Sequence, residues 1–358
     1  MNYAAFRAIL TLSATDNMSR TVNAAIGNAQ TRMAKFGARA QGMGRDMMMG
    51  GGIIAAPFVA ATKAAVDFEE AFTGVTKTWR GTETELENTR KGILAMSRSA
   101  QNTATAEELS AIAESAGQLG IQTKNVLTFT KTIADLKATT NLGDEAAPQF
   151  AKFANITRMP QERFSNLAST VVELGNNMAT TEADIVNFGM RIAGAGAQVN
   201  IPQSKIMGLA AGLSSVGLEA EAGGTAISKT LIELSNRVKT GGAGLAEVAG
   251  ISGMSGAAFA KSFQEDAAGA TVSFIEGLGK IKQEGGNVFQ TLDKLGMGEI
   301  RLRDTLLRAS GAGDLLRKSL NLSSTAWDKN EALTKEAETR YKTTASQMKV
   351  FKNNVTAL

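Results

Sequence analysis

The chain contains no cysteine and no histidine among its 358 residues. Without cysteine there is no disulfide framework, no thiolate nucleophile, no iron–sulfur site and no thiolate zinc site. Without histidine there is no imidazole general base, no Ser–His triad and no H-E-x-x-H zinc site. Carboxylates, lysine and serine remain as catalysts, so most common enzyme templates are removed but not all. Proline occurs four times, at Pro57, Pro148, Pro160 and Pro202, and aromatics make up only 5%. A span-length hydrophobic run is also missing. The uncharged stretch from Met47 to Thr62 falls short of the ~20 residues that cross a bilayer as helix. Gly50-Gly51-Gly52 and Pro57 interrupt it, and it lies too far along to read as a signal peptide. It reads as a turn and a buried helix start. A segment that becomes membrane-active only after a conformational change is the alternative.

What is present points to helices. Apolar residues reach 43%, with 37 glycines and 15 methionines. Alanine, leucine and methionine favour helix, and runs of β-branched and aromatic residues are few. The fold class expected is all-α, and the length suggests about two domains. The formal charge of +4 is uneven. Residues 1–66 hold Arg7, Arg20, Arg32, Lys35, Arg39, Arg45 and Lys63 against Asp16 and Asp46, and the remainder is nearly neutral.

Four regions follow from pattern. Residues 1–66 form a basic arm and the apolar segment. Within it Val22, Ile26, Ala29, Met33, Phe36, Ala40, Met43 and Met47 recur at 4-3 spacing, the signature of an amphipathic or coiled-coil helix. These eight residues are the expected homo-oligomer interface, although alanine and methionine make a weak seam. Residues 67–240 read as consecutive helical hairpins. Thr105-Ala106-Glu107-Glu108 fits a capping box, and Thr181-Glu182-Ala183-Asp184 is a looser version. Leu119-Gly120-Ile121, Val199-Asn200-Ile201, Val216-Gly217-Leu218 and Leu295-Gly296-Met297 each place Gly or Asn between apolar residues, the form of a left-handed helix end. Ile112 to Val126 lines up with Ile192 to Ile206 as a degenerate repeat. Residues 241–300 read as a Gly-rich helical subdomain, loop-rich and with the look of a hinge or subdomain boundary. Residues 301–358 return to helix. The last helix, from about Trp327, carries Leu333, Ala337, Tyr341, Ala345, Met348, Phe351, Val355 and Leu358 on one outward-leading stripe.

Tests for chemistry are mostly negative. Gly223 to Thr230 approaches a P-loop, but Ser228 stands where the glycine before lysine is required, and no strand precedes it. Gly194-Ala195-Gly196 lacks the third glycine and acidic partner of a dinucleotide fingerprint. No calcium loop appears. Glu83/Glu85/Glu87 and Glu219/Glu221 read as solvated helix termini, not as the opposed pair of a glycosidase. The basic arm lacks the interleaved aromatics of a nucleic-acid groove. No catalytic residue, cofactor or metal is expected.

Several segments, in order, resemble the conserved N-terminal region of phage tail tape measure proteins. They are Phe68-Glu69-Glu70-Ala71-Phe72 with Val75 and Lys77, Leu109 to Ile121 (LSAIAESAGQLGI), and Phe129 to Leu136 followed by Ala138 to Leu142. Leu174-Gly175-Asn176-Asn177 with Thr181-Glu182, and Ala210 to Glu221 leading into Gly223-Gly224-Thr225-Ala226, complete the set. The resemblance covers about half the chain. It implies an interaction protein and not an enzyme. Such a protein sets tail length during assembly, occupies the tube lumen and leaves at genome ejection. Implied partners are further copies of itself, tail tube, baseplate or tail-tip and tail-assembly chaperone proteins, with genomic DNA and the host membrane met at ejection. The implied location is the virion tail, assembled in the bacterial host cytoplasm. Wholly helical, 358 residues would span only ~540 Å. No long ruler or hydrolase segment is present, so the chain reads as the N-terminal portion of a longer protein. A pore-like envelope-penetration module and a carboxylate-based cell-wall hydrolase are the competing functions.

Overall fold

Helix boundaries in this chain are written locally, and the computed structural model, which describes residues 55–356, shows how. Among the described residues there are seventeen α-helices and no strand, so the fold is all-α as the composition requires. The chain divides after Ala60, and the packing below is that of Ala61 onward. The heptad residues Val22, Ile26, Ala29, Met33, Phe36, Ala40, Met43 and Met47 lie outside the described residues.

Helix α1 (Ala55–Thr78) leads into α2 (Glu83–Ser97) and α3 (Ala106–Gln118). Both α2 and α3 begin with complete capping boxes. The Thr82 hydroxyl accepts from the Glu85 amide, and the Glu85 carboxylate accepts from the Thr82 amide at 2.7 Å. Thr105 and Glu108 repeat this at 3.1 and 2.8 Å. Each box satisfies donors that a helix start otherwise leaves open. The Gly/Asn ends behave as their flanking residues predict. Gly120, Asn200, Gly217 and Gly296 all have φ between 59° and 79°. Ile121, Ile201 and Met297 then donate to carbonyls five residues back at 2.8–2.9 Å, the Schellman bond. Their side chains are buried, which adds the apolar contact.

Hairpins stack in layers. Helices α3, α5 (Ala146–Thr157), α7 (Glu182–Gln198) and α9 (Ala220–Thr240) form one layer. Helices α4 (Val126–Thr139), α6 (Phe164–Asn177) and α8 (Gln203–Ser214) form the next. Between them sit Phe129, Phe150, Phe153, Phe164 and Phe188, all fully buried. Phe129 and Phe164 meet edge to face at 4.8 Å. The degenerate repeat noted in sequence corresponds to two of these hairpins, α3–α4 and α7–α8.

Residues 241–300 are helical, with shorter connections than a loop-rich reading implies. They form α10 (Gly242–Ile251), α11 (Gly256–Glu265), α12 (Ala267–Gln283) and α13 (Val288–Lys294). Their glycines serve contacts and helix ends. A side chain at Gly277 would fall on the Ile251 carbonyl, while Gly253, Gly285 and Gly296 take positive φ at helix ends. Helix α12 packs against α14 (Ile300–Ser310) and α15 (Gly313–Lys329), joining the common core.

The expected single helix from Trp327 is also revised. Trp327 lies inside α15, and the stripe is cut into α16 (Ala332–Tyr341) and α17 (Thr344–Thr356). The first break is a left-handed asparagine cap: Asn330, at φ 49°, bonds the Ala326 carbonyl through its backbone amide and Ser165 and Ser169 of α6 through its side chain. Together α15, α16 and α17 run across the second layer, meeting α8, then α6, α4 and finally α2.

Candidate interaction surface

The near P-loop is helix packing. Gly223 and Gly224 lie inside α9, where added Cβ atoms would meet the Phe188 ring at 3.0 Å and Arg191 Cβ at 2.5 Å. Close approach of α9 to α7 explains both glycines, and no phosphate cradle is formed. The acidic pairs are likewise local. Glu85 belongs to its capping box, and Glu219 and Glu221 sit at the start of α9. Among the described residues no group of three or more metal-binding side chains is assembled, and no helix is long and apolar enough to cross a membrane.

The principal buried polar group was not singled out in the sequence. Asp135, on α4, is almost wholly buried. Lys131, one turn earlier, donates to both its oxygens at 2.6 Å. The Tyr341 hydroxyl of α16 donates to Oδ1 at 2.7 Å, and the Lys131 ammonium lies 5.8 Å from the Tyr341 ring centroid. Burial raises the Asp135 pKa above its ordinary value, against the opposing pull of Lys131 and the Tyr341 hydrogen bond. Burial and the adjacent carboxylate push the Tyr341 phenol far above its own. These groups line a cleft of about 470 Å³ between α4 and α16, with Gln101, Ser165, Leu333 and Glu338 around it. Every polar atom of the trio is engaged, so the arrangement fixes α16 to α4 and leaves no free nucleophile. The Lys–x₃–Asp pair of Lys131 and Asp135 was the available signal.

The same polar anchoring continues along α15 and α16. Asn166 donates to the Trp327 carbonyl at 2.8 Å, and Ser169 to Asn330 at 3.0 Å. At α8, Gly208 and Gly212 face Ser323 and Ser319, so close that a Cβ at either would meet a hydroxyl at 2.5–2.7 Å.

The outer surface carries scattered large apolar side chains. Phe289, Ile300, Met348 and Phe351 are all more than half exposed. Arg303 lies 5.1 Å from the Phe289 ring centroid, a pairing that recurs at interfaces. The Phe68–Phe72 motif points the other way: both rings are buried, with centroids 5.6 Å apart and the Arg90 guanidinium within 6.0 Å of each.

The described residues thus form an all-α stack of capped hairpins tied together by buried polar anchors. Residues 90–299 match the family model described as phage-related minor tail protein, and the chain belongs to that family. It is thus a phage tail protein, and its family fits a structural role in the tail. No curated protein and no solved structure matches it.

Proposed function

We propose that the chain acts as a tape measure protein through a helical region similar to the conserved N-terminal region of that family. It sets tail length during assembly and occupies the tube lumen until the genome is ejected. The observation that supports this most is collinearity: five segments similar to tape measure proteins follow in order from Phe68 to Ala226, largely inside the matched tail-protein region. The role is structural and non-enzymatic. Its partners are further copies through the 22–47 heptad, and tube, tail-tip and chaperone proteins. Genomic DNA and the host membrane are met at ejection. Assembly takes place in the host cytoplasm.

Lumen occupancy has a direct test in the phage that encodes the chain. Added protease leaves the protein intact in whole virions and digests it once the tails have ejected. Digestion in intact virions would place it outside the tube and overturn the proposal.

A further inference from the structure

The C-terminal helices carry a conflict between pattern and fold. From Asp314 to Leu358 there is no glycine and no proline, so nothing in this stretch forbids a continuous helix. Leu316, Leu320, Ser323 and Trp327 before the first break share one 4-3 phase with Met348, Phe351, Val355 and Leu358 after the second, through the mixed positions Asn330, Thr334, Ala337, Tyr341 and Thr344. A phase that survives two breaks is the pattern of a single amphipathic helix.

The docked form satisfies that pattern only in part. At its first break Asn330 takes φ 49°, a left-handed conformation that asparagine tolerates at helix ends, and its side chain is bonded to Ser165 and Ser169 of α6. At its second break the Thr343 hydroxyl accepts from the Ser346 amide at 3.3 Å, as a cap does. The seam between α16 and α4 contains the 470 Å³ cleft, and an under-filled seam forfeits dispersion contacts. Helix α17 turns polar atoms to the body: Ser346 and Asn353 are buried, and Asn353 donates to the Thr103 and Ala104 carbonyls at 3.3 and 3.2 Å. Its Met348 and Phe351 stay 65% and 66% exposed. With few apolar contacts α17 opens at the lower cost, while α16 is held by buried Leu333, Ala337 and Tyr341.

We infer that residues 330–356 form a two-state strap. In the docked state they are broken into α16 and α17 across α6, α4 and α2. In the released state α15, α16 and α17 join into one continuous amphipathic helix whose seam carries Met348 and Phe351 in phase with Leu316 and Leu320. Helix α15 stays on α8 in both states, because Leu316, Ser319, Leu320 and Ser323 are buried there. The inference stands on the packing alone and does not require the length-setting role.

The absence of native cysteine makes spin-label distances a clean test on the full chain. One label pair, Gln101→Cys with Lys349→Cys, reports docking. A second, Lys318→Cys with Lys349→Cys, reports helix continuity. In the released helix the second pair lies about 47 Å apart at ~1.5 Å rise per residue. In the parent the first pair gives a single short distance. Two variants shift the balance: Tyr341→Ala, which removes the anchor, and Asn330→Ala combined with Thr343→Ala, which favours continuous helix and leaves Asp135 and Tyr341 in place. The expected result is a long first distance together with a narrow second distance at about 47 Å. If Tyr341→Ala unfolds the body, the double variant decides. A first distance that stays short in the double variant overturns the inference. So does a long first distance with a broad, featureless second one, because the strap would then leave as coil.

Discussion

Asp135 and Tyr341 show how a residue-scale contact carries a pH dependence. The buried Asp135 carboxyl keeps its proton to higher pH in the folded chain than its ordinary value of 3.8. The native state therefore binds more protons than the unfolded one just above that value, and this group's contribution falls as pH rises through its folded pKa. Asp135→Asn removes that term, so stability of the variant, measured by urea unfolding across the weakly acid range, rises more steeply with pH than that of the parent. Equal slopes would refute the assignment. Tyr341 acts at the other end. Its pKa lies above the ordinary 10.0, so the folded state loses stability as pH climbs beyond that value. Tyr3 is the only other tyrosine, so a Tyr3→Phe chain isolates Tyr341. Its tyrosinate absorbance is expected to appear only with alkaline unfolding. The trio was hidden in sequence because Tyr341 lies 206 residues from Asp135. The Thr105 capping box was visible because both its partners lie within one turn. Thr105→Ala is expected to cost about 1 kcal/mol in a thermal or urea melt.

At the scale of the element, the same substitution gives opposite signs at two glycines. Gly194 of α7 has open space where a Cβ would stand, so Gly194→Ala stabilises by about 0.5–1 kcal/mol through helix propensity. Gly208 of α8 would put that carbon 2.5 Å from the Ser323 hydroxyl and 3.0 Å from the Ser319 carbonyl. Gly208→Ala is therefore expected to destabilise by about 1–3 kcal/mol. Urea unfolding of both variants separates packing from propensity, and a stabilised Gly208→Ala would contradict the close α8–α15 contact. Helix ends were legible because Gly or Asn between apolar residues has a local meaning. The loop content of the 241–300 helical subdomain was overstated because a glycine that admits a neighbouring backbone looks, in sequence, like one that bends the chain. The break at Asn330 was missed because its neighbours Lys329 and Glu331 are charged, so it lacks the apolar flanks of the other ends, and its side-chain partners Ser165 and Ser169 lie across the fold.

For the molecule as a whole, the all-α class was legible from composition and periodicity, while the layered stacking of hairpins depends on contacts that no local pattern shows. The family match ends at Glu299, yet α15 and α16 cover the α4, α6 and α8 layer. Leu316, Leu320 and Leu333 from these two helices belong to the buried core. Truncation after Glu299 thus uncovers that layer, and the shortened chain is expected to melt earlier and to aggregate; an unchanged melt would show that the matched region folds without its cover. The functional claim is a matter of length, and tail length in electron micrographs tests it most directly. Four helical heptads inserted in frame after residue 358, in the phage that encodes the chain, should lengthen the tail by about 42 Å at ~1.5 Å per residue. Tails of unchanged length would contradict the account.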